Sequence, residues 1–450
     1  MQFFIDLTNV LFVGIADNFL EILTYGIPIL IFYIIFQRIR TKDSDKNLDF
    51  FIGIKEAGLT EPASLHPLID TNLCVGCGSC VTACPEGNVL GLIDDRARLI
   101  NATHCIGHGA CKEACPMDAI TLVFGTERRG VDIPLLKPDF ETNVPGIYIA
   151  GELGGMGLVR NAITQGRQAM DAIKAAVATA KDAPTDVVII GAGPAGFSAT
   201  LGAHEANLNY ITVEQDSLGG AVAHFPRGKL VMTSTAILPI IGEVKLTEIR
   251  KEPLVEFWHA IEQKTGIRIN YKERMDMITQ SDDGGLIVKT NQNTYHTKTV
   301  LLSIGRRGTP RKIGAPGEDQ SKVVYRLIDP EQYRGMHVLV VGGGNSALEA
   351  AVSIAEEEGT TTTLSYRSDA FSRAAEQNRD NVTRMEAENR LTVLLKSNVK
   401  NIGEKDVTID HQGKLLTIPN DAVIVSAGGV LPTPFLKKIG IQVDVKNGTP

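Results

Sequence analysis

The chain has 450 residues, so at roughly 150 residues per domain we expect more than one folded unit. With 43% hydrophobic and 22% charged residues, its composition is that of a folded protein and excludes a disordered or collagenous one. A net charge of -7 gives no basic footprint for nucleic acid, so we predict no nucleic-acid partner. All seven cysteines lie between Cys74 and Cys115, which argues against a disulfide framework and suits a reducing compartment.

The N-terminal segment, residues 1–40, predicts a membrane-spanning helix. Residues 19–36 are mostly apolar, with Glu21 the one charged residue, and are just long enough to cross a bilayer. Three basic residues follow directly, at Arg38, Arg40 and Lys42. The positive-inside rule therefore predicts a single-pass protein of the cell inner membrane, in contact with lipid through this helix and with the remainder in the cytoplasm. The alternative is an interfacial or buried hydrophobic helix. Residues 41–65 are polar, and we expect them to form an irregular linker.

The cysteines form two runs of the same spacing. The first run is Cys74-x2-Cys77-x2-Cys80-x3-Cys84, and the second is Cys105-x2-His108-x2-Cys111-x3-Cys115, each followed by proline. This spacing wraps three thiolates around one iron–sulfur cube and sends the fourth to a neighbouring cube. Residues 66–125 thus resemble a two-cluster bacterial ferredoxin, a small α+β domain. The resemblance implies that Cys74, Cys77, Cys80 and Cys115 hold one [4Fe-4S] cluster, and that Cys84, Cys105 and Cys111 hold the other.

His108 departs from this pattern, because it stands where the second cysteine of the second run belongs. Three interpretations remain open: a histidine ligand that completes a second [4Fe-4S] cluster, a non-ligand beside a [3Fe-4S] cluster, or a lost second cluster. Imidazole can replace thiolate at iron and raises the reduction potential in the Rieske case. If a second cluster is present, we expect its potential to differ from that of the first.

The first glycine loop, G-A-G-P-A-G at residues 191–196, follows the run D-V-V-I-I at residues 186–190, whose four apolar residues are typical of a buried parallel strand. Glycines there permit a tight turn and the close approach of a pyrophosphate to a helix N-terminus. Glu214 ends the next expected strand, where an acidic side chain suits ribose hydroxyls. The candidate contacts to a dinucleotide are Gly191, Gly193, Pro194, Ala195, Gly196 and Glu214.

The second glycine loop repeats this pattern after the apolar run at residues 337–341. Its candidate contacts are Gly342, Gly344, Asn345 and Ser346. Arg367 and Arg373 lie at or just beyond the end of the next expected strand, where the first loop has an acid. Cationic groups there accommodate a 2′-phosphate, so we predict NADPH in preference to NADH. The alternative is that both arginines belong to a solvated surface and that NADH is used.

With two such loops, residues 131–450 resemble the thioredoxin-reductase-like flavoproteins. The resemblance implies an α/β fold with two Rossmann-like domains, FAD on the first loop and NAD(P)H on the second. It assigns residues 131–306, completed by 429–450, to FAD binding, and residues 307–428 to NAD(P) binding. The stretch 141–152 resembles the second FAD motif, so Gly151 and Glu152 are candidate FAD contacts, with glutamate where the family usually has aspartate.

Two departures from this family are visible in the sequence. The second FAD motif ends the chain in the family, whereas here it precedes Gly191, so we infer a circular permutation of residues 131–180. Thioredoxin reductases also carry Cys-x-x-Cys just before the second glycine loop, but the stretch 324–335 has no cysteine. The usual dithiol relay to thioredoxin is therefore excluded.

These features predict an iron–sulfur flavoprotein oxidoreductase that moves electrons between NAD(P)H, FAD and the clusters to an unidentified acceptor, a protein or a small molecule. No side chain is assigned as acid, base or nucleophile. One alternative is a reductase of a small disulfide or polysulfide acting at the flavin, and another is a non-catalytic redox sensor. Related flavoproteins are commonly homodimers, so a homodimer is one expected assembly.

Overall fold

The computed structural model describes most of the chain from residue 22 to residue 449. The positions between these limits that it leaves undescribed are 63–64, 128, 156, 179, 181–182, 226–229, 233–234, 247, 282–283 and 307–309.

Up to residue 125 the helices and strands are short, apart from the first helix. They are α1 (Ile27–Glu56), β1 (His66–Ile69), α2 (Ser79–Thr82), β2 (Leu90–Ile93), β3 (Arg96–Leu99), α3 (Ala110–Glu113) and β4 (Ile120–Val123). A π-helical turn, Ile22–Gly26, precedes α1, and a 3₁₀ helix covers Ala102–His104.

Between residues 131 and 302 the elements alternate between strands and helices. They are β5 (Val131–Pro134), β6 (Ile147–Ile149), α4 (Val159–Val177), β7 (Thr185–Ile190), α5 (Pro194–Glu205), β8 (Tyr210–Glu214), β9 (Leu230–Met232), β10 (Ala236–Leu238), β11 (Gly242–Val244), β12 (Ile249–Arg250), α6 (Lys251–Thr265), β13 (Ile269–Tyr271), β14 (Met275–Gln280), β15 (Leu286–Thr290) and β16 (Thr294–Leu302). The 3₁₀ helices here are Glu152–Gly154 and Gly220–Val222.

The remainder of the chain contains a second series of alternating elements. They are β17 (Val323–Val324), β18 (His337–Val341), α7 (Asn345–Ala355), β19 (Thr361–Tyr366), α8 (Glu376–Ala387), β20 (Leu391–Leu395), β21 (Ser397–Ile402), β22 (Asp406–His411), β23 (Lys414–Pro419), β24 (Ala422–Val425), α9 (Thr433–Lys438) and β25 (Val443–Lys446), with a 3₁₀ helix at Pro330–Tyr333.

The chain divides into two compact units that interleave in sequence. The first unit contains the residues up to Ala57, Ile69–Asn101 and Ala110–Ile120. The second contains Gly58–Leu68, Ala102–Gly109 and the chain from Thr121 onward. The first unit therefore holds one complete cysteine run, whereas the second run is divided after Gly109.

In the first unit, helix α1 continues well beyond its apolar part and packs against the β2–β3 hairpin. Arg40 Nε lies 2.7 Å from Asp95 Oδ1. Asn47 Nδ2 donates to the Leu92 carbonyl at 3.0 Å, and Ser44 Oγ accepts from the backbone N–H of Asp94 at 3.1 Å. The expectation of an irregular linker is therefore wrong for residues 41–56, because tertiary contacts hold this polar stretch as a helix.

The membrane prediction for residues 19–36 is not supported. Residues 19–21 lie outside the described part of the chain, and none of the helices that the structure describes is long and apolar enough to cross a membrane. The apolar part of α1 ends at Phe36, and charged residues follow from Arg38.

The larger sheet of the second unit has seven strands. Its order is β13-β8-β7-β16-β15-β14, and β6 also pairs with β16. The pairs made by β6, β7, β8, β13 and β16 among themselves are parallel, whereas β14 and β15 add an antiparallel edge. Helices α4 and α5 pack together and bury an apolar face that includes Met170, Ile173 and Ala199 against the sheet. Buried runs such as Val187–Ile190 form parallel strands because both faces of the sheet are covered.

A second, five-stranded sheet is entirely parallel, in the order β17-β24-β18-β19-β20. Helices α7 and α8 contribute buried side chains to its core, among them Leu348, Ile354 and Met385. Between β20 and β24 the chain forms a separate three-stranded antiparallel sheet, β21-β22-β23. Strand β25 pairs with β5. The second unit is thus a mixed α/β fold with two covered sheets, one mainly parallel and one entirely parallel, each of which carries one glycine loop.

Candidate functional site

The first glycine loop joins β7 to α5. Gly191 has a φ of +99°, and a Cβ there would lie 2.7 Å from the carbonyl oxygen of Ser303. Helix α5 begins at Pro194, whose missing N–H costs nothing in a first turn. No side chain in the described chain caps α5 at Gly193, so its first N–H groups can receive a phosphate. A Cβ at Gly220 would lie 3.0 Å from Gly193 Cα, which makes this approach a two-glycine contact.

Ala195 and Gly196 provide the tightest packing of this loop. A Cβ added at Gly196 would overlap the carbonyl oxygen of Gly191 and lie 2.5 Å from Ser303 Oγ. A Cβ added at Gly166, in the middle of α4, would overlap the carbonyl oxygen of Ala195. Both glycines therefore allow the start of α5 to lie directly against β7 and α4.

Glu214 ends β8, and its carboxylate points back to the loop. Its Oε2 accepts a hydrogen bond from Ala192 N at 2.7 Å, and its Oε1 accepts one from Asp216 N at 2.8 Å. Glu214 is 6% exposed, and burial is the main reason that its pKa is raised. Each oxygen keeps a further acceptor position, so this carboxylate can also receive ribose hydroxyl groups.

The second FAD motif lies against the first loop. A Cβ added at Gly151 would lie 3.0 Å from the Cβ of Ala195. Glu152 follows and begins a 3₁₀ helix, and its Oε2 lies 4.0 Å from the position that a Cβ on Gly305 would occupy. Burial lowers the pKa of Arg306, and the charge of Glu152 acts in the opposite direction. The structure therefore brings Gly151 and Glu152 together with the loop and with the chain that leaves β16.

The second glycine loop joins β18 to α7. Gly342 has a φ of +149°, and a Cβ there would overlap the carbonyl oxygen of Ser426 and lie 2.9 Å from the Cβ of Ala347. Gly344 precedes α7 without a side-chain cap among the described residues, and a Cβ there would meet nothing within 4 Å. This end of α7 is therefore open to a phosphate, as the start of α5 is.

The side chains around the second loop differ from those around the first. A Cβ at Gly343 would overlap the ring of Tyr366, which ends β19. Arg367 follows and is exposed, and Arg373 is exposed and forms a backbone bridge with Gly344. The structure thus places Arg373 beside this loop and Arg367 directly after the end of β19, and cations at these positions suit a 2′-phosphate.

Asn345 and Ser346 begin helix α7, and only one of them is exposed. Asn345 Oδ1 accepts hydrogen bonds from Ala375 N at 2.6 Å and from Asn378 Nδ2 at 3.1 Å. Ser346 is exposed at the start of the helix. The side chain of Asn345 therefore links the loop to α8, a contact that the sequence pattern does not predict.

The first unit brings four cysteines around one cavity. These are Cys74, Cys77, Cys80 and Cys115, the set that the ferredoxin resemblance assigns to the first cluster. Gly76 and Ala97 also line the cavity. No group of three or more His, Cys, Asp or Glu side chains within the described part of the chain lies close enough to bind a single metal ion. A cube offers a separate iron to each thiolate, so ligands that surround a cavity fit a cluster better than a single ion.

The ionisation of these thiols also fits the binding of a group that supplies positive charge. Burial first, and then the charges of the neighbouring thiolates with Cys74 the largest of these, together raise the pKa of Cys80 to about 11. Hydrogen bonding with Ser79, whose Oγ lies 3.4 Å from the sulfur, lowers the pKa of Cys77. Thiolates crowded in this way repel one another unless positive charge is present, and iron supplies that charge.

The residues that the ferredoxin resemblance assigns to the second cluster differ in exposure. Cys105 is 8% exposed, and its Sγ lies 3.9 Å from the carbonyl oxygen of Leu65. Cys111 is buried, and Cys84 is partly buried. His108 Nε2 is buried, and no described residue offers it a hydrogen-bond partner. A buried imidazole nitrogen without a partner costs free energy, which bonding to iron would offset.

Several residues of the site have no counterpart among the predicted contacts. Gln165 Oε1 accepts a hydrogen bond from Gly151 N at 2.8 Å, and Gly166 makes the close approach to Ala195. Asp216 contacts both His224 Nε2 and Lys272 Nζ at 2.8 Å. Only Gly166 had a usable signal, because a glycine inside a helical pattern indicates a packing constraint.

Two family models match this chain. The model described as pyridine nucleotide-disulphide oxidoreductase matches residues 188–450, more than half of the chain. The model described as a 4Fe-4S dicluster domain matches residues 66–116.

Curated relatives share the glycine-loop part of the chain. A bacilliredoxin reductase from Bacillus subtilis is 26% identical over 276 residues, which are 58% of this chain and 82% of that protein. A ferredoxin–NADP reductase from Picrophilus torridus is 32% identical over 272 residues, which are 57% of this chain and 77% of that protein. Among solved structures, bacillithiol disulfide reductase from Staphylococcus aureus has a TM-score of 0.51 at 22% identity and covers 57% of this chain and 80% of its own, a likeness of fold.

The two glycine loops, the buried acid on one and the exposed cations on the other agree with these matches. The chain therefore belongs to the pyridine nucleotide-disulphide oxidoreductase family and is an FAD-dependent NAD(P)H oxidoreductase that carries a 4Fe-4S dicluster domain.

Proposed function

We propose that this protein passes electrons between NADPH, FAD and two iron–sulfur clusters to an acceptor that is not thioredoxin. The observation that carries the proposal is the cavity lined by Cys74, Cys77, Cys80 and Cys115 in a chain of this family. A cluster in that cavity gives the flavoprotein a one-electron carrier that the dithiol-relay members do not need. FAD supplies the conversion, since it accepts a hydride as two electrons and each cluster handles one.

The protein residues have binding and positioning roles in this proposal. The starts of α5 and α7 hold the pyrophosphates of FAD and NADPH, and Glu214 orients the FAD ribose. Arg367 and Arg373 bind the 2′-phosphate of NADPH. Hydride transfer between stacked rings needs no side chain as acid, base or nucleophile.

The second cluster completes the carrier chain. We assign Cys84, Cys105, His108 and Cys111 to it, as a [4Fe-4S] cluster with one histidine ligand. The buried and unpartnered Nε2 of His108 supports ligation over a [3Fe-4S] cluster with a free histidine. Because imidazole is neutral where thiolate is negative, this cluster accepts an electron more readily than the first one.

A circular permutation explains how the ferredoxin-like segment is attached to the flavoprotein. Strand β6 pairs in parallel with β16, and Gly151 contacts Ala195, although residues 141–152 precede the first glycine loop. The family match begins only at residue 188. In this proposal residues 131–180 complete the FAD domain from its N-terminal side, so the iron–sulfur segment continues directly into that domain.

The proposal is tested by low-temperature EPR on protein purified without oxygen, before and after NADPH is added. We expect a reduced-cluster signal to appear with flavin bleaching. Bleaching without a cluster signal, with iron present, would contradict the electron path from FAD to the clusters.

Cysteine variants test the crossed assignment of ligands. Cys115→Ser should alter the same EPR signal as Cys77→Ser, whereas Cys84→Ser should alter the signal that Cys111→Ser alters. If Cys115→Ser and Cys111→Ser affected one signal, the two clusters would not exchange their fourth ligands, and the assignment would be wrong.

A second candidate function follows from two observations. The chain is similar to bacilliredoxin reductase, and it has no Cys-x-x-Cys pair just before its second glycine loop. In this alternative the flavin reduces a small disulfide or polysulfide directly, and the clusters supply electrons. Turnover of a small disulfide such as bacillithiol disulfide with NADPH would support it. Its loss in Cys77→Ser, with flavin reduction by NADPH unchanged, would show that the clusters take part.

A further inference from the structure

The segment Ala102–Gly109, which carries Cys105 and His108, belongs to the second unit and contacts helix α8 there. Arg379 Nη1 donates to Thr103 Oγ1 at 3.2 Å, and His104 Nδ1 lies 3.7 Å from Glu376 Oε2. Thr103 is buried and Arg379 is partly buried, so this contact is partly shielded from water. Two side chains from the first turn of α8 thus hold the ligand segment of the second cluster.

The first turn of α8 and the residues just before it also support the second glycine loop. Ala375 N and Asn378 Nδ2 both donate to Asn345 Oδ1, and Arg373 forms a backbone bridge with Gly344. Arg379 itself donates to the carbonyl oxygen of Ala374. Residues 373–379, which we name the junction turn, therefore contact the nucleotide phosphate loop on one side and the cluster ligand segment on the other.

We propose that the junction turn couples nucleotide binding to the second cluster, and that Arg379 is the positioning residue that transmits the coupling. Any rearrangement of Asn345 and Gly344 when a phosphate binds acts on the turn, and Arg379 carries the displacement to Thr103, two residues from Cys105. Thermodynamic linkage makes the effect reciprocal: bound nucleotide changes the reduction potential of the cluster, and the redox state of the cluster changes nucleotide affinity by the same factor.

This inference deepens the proposed function and rests on it, because it requires nucleotide on the second loop. The consequence is that bound coenzyme controls electron entry into the second cluster. The enzyme would load the second cluster with an electron at a potential that depends on whether coenzyme is bound. Coenzyme exchange and electron delivery would thereby be ordered.

The first test is a redox titration of the holoprotein, in which the reduction of the second cluster is monitored through the EPR signal that Cys111→Ser alters. The nucleotide probe is 1,4,5,6-tetrahydro-NADP, which carries the phosphates but does not exchange hydride. We expect a midpoint shift on saturation. A tenfold difference in affinity between the two redox states corresponds to about 59 mV for one electron. No shift in the wild-type protein would overturn the proposal.

Variants locate the path of the coupling. Arg379→Ala should reduce the nucleotide-induced shift to less than about a third of the wild-type value, and Arg379→Lys should restore part of it, because one donor is retained. Arg384→Ala is the matched control, since it removes the same charge from the same helix where the side chain is half exposed and pairs with Glu356 and Glu388. Equal shifts in Arg379→Ala and the wild type would contradict the role of Arg379.

Hydrogen exchange separates this inference from the proposed function. Amides of residues 102–109 should exchange several-fold more slowly with tetrahydro-NADP bound, in the wild type and in Arg384→Ala but not in Arg379→Ala. If iron analysis showed that the second cluster is absent, the proposed carrier chain would fail, and this measurement would still show whether nucleotide binding reaches residues 102–109 through Arg379. Unchanged exchange with saturating nucleotide would overturn the coupling even if both clusters were reduced by NADPH.

Discussion

The two glycine loops share one strand-loop-helix pattern but differ in how tightly the helix packs on the strand. In the first loop, a methyl group at Gly196 would overlap the carbonyl oxygen of Gly191. In the second, the matching position is Ala347, which is fully buried and has its Cβ in place. Packing therefore requires glycine at the third glycine position of the motif in the first loop, residue 196, but not at the matching residue 347 of the second loop.

The strand tips beside the loops differ in charge and exposure. Glu214 is buried and hydrogen-bonded to the backbone of its own loop, whereas Arg367 is exposed and follows an aromatic ring that packs on Gly343. An acid suits free ribose hydroxyls, and a cation suits a ribose that carries a phosphate. In the proposed function one backbone pattern serves two nucleotides, and the side chain at or just after the tip of the second strand distinguishes between them.

The largest expected effect comes from Gly196→Ala. Overpacking usually costs about 1–3 kcal/mol, and overlap with the backbone of Gly191 in the same loop places this substitution at or above that range. We expect protein without FAD and with a strongly lowered unfolding midpoint. The matched control is Ala347→Gly, which should cost only about 1 kcal/mol of helix propensity and leave FAD in place. Normal FAD content and stability in Gly196→Ala would show that the two loops are packed alike.

A second pair of variants, Gly193→Ala and Gly344→Ala, separates cofactor binding from folding. A Cβ at Gly193 would lie 3.9 Å from Gly220 Cα, and one at Gly344 would meet nothing within 4 Å. Both proteins should therefore fold, but the methyl group occupies the space where a phosphate approaches the helix. Gly193→Ala should lose FAD on gel filtration, and Gly344→Ala should keep FAD and bind NADPH weakly by calorimetry. Loss of the same cofactor in both variants would contradict the assignment of the loops.

Arg367→Ala tests the charge difference at the strand tips. An arginine–phosphate contact is worth about 1.5–3 kcal/mol, so kcat/KM for NADPH should fall by roughly tenfold or more. The value for NADH should stay nearly constant, because NADH has no 2′-phosphate. Steady-state rates with an artificial acceptor measure both coenzymes. Equal losses for NADPH and NADH would mean that Arg367 does not contact the 2′-phosphate.

Local patterns made the two loops and the cysteine runs predictable. The apolar run before Gly191 and the acid at Glu214 lie within one strand-helix-strand unit, so sequence spacing alone places them together. The four cysteines around the first cavity likewise follow from a spacing that chemistry restricts.

Contacts between distant segments could not be predicted in this way. Helix α1 extends to Glu56 because Arg40 and Asn47 bind residues of a hairpin some fifty positions later, and tertiary contacts of this kind override a weak local preference. The hydrogen bond from Arg379 to Thr103 joins residues 276 positions apart. No pattern in either segment predicts it.

Glu214→Gln gives the smallest expected effect and tests what the buried acid does. Glutamine keeps one oxygen acceptor, so one of the two backbone donors, Ala192 N or Asp216 N, loses its partner at a cost of about 1 kcal/mol. FAD affinity should fall several-fold, as measured by flavin fluorescence.

The variant should also differ from the wild type in its pH dependence. Burial raises the pKa of Glu214 above the ordinary value of about 4.3, so the folded protein binds this proton more tightly than the unfolded chain does. The contribution of Glu214 to stability is therefore fully present below the ordinary pKa and is lost as the pH rises through the raised one. Glutamine has no such dependence, so the deficit of Glu214→Gln in denaturant unfolding should shrink from acidic to neutral buffer. A deficit that grew toward neutral pH would mean that the ionised carboxylate stabilises the FAD loop.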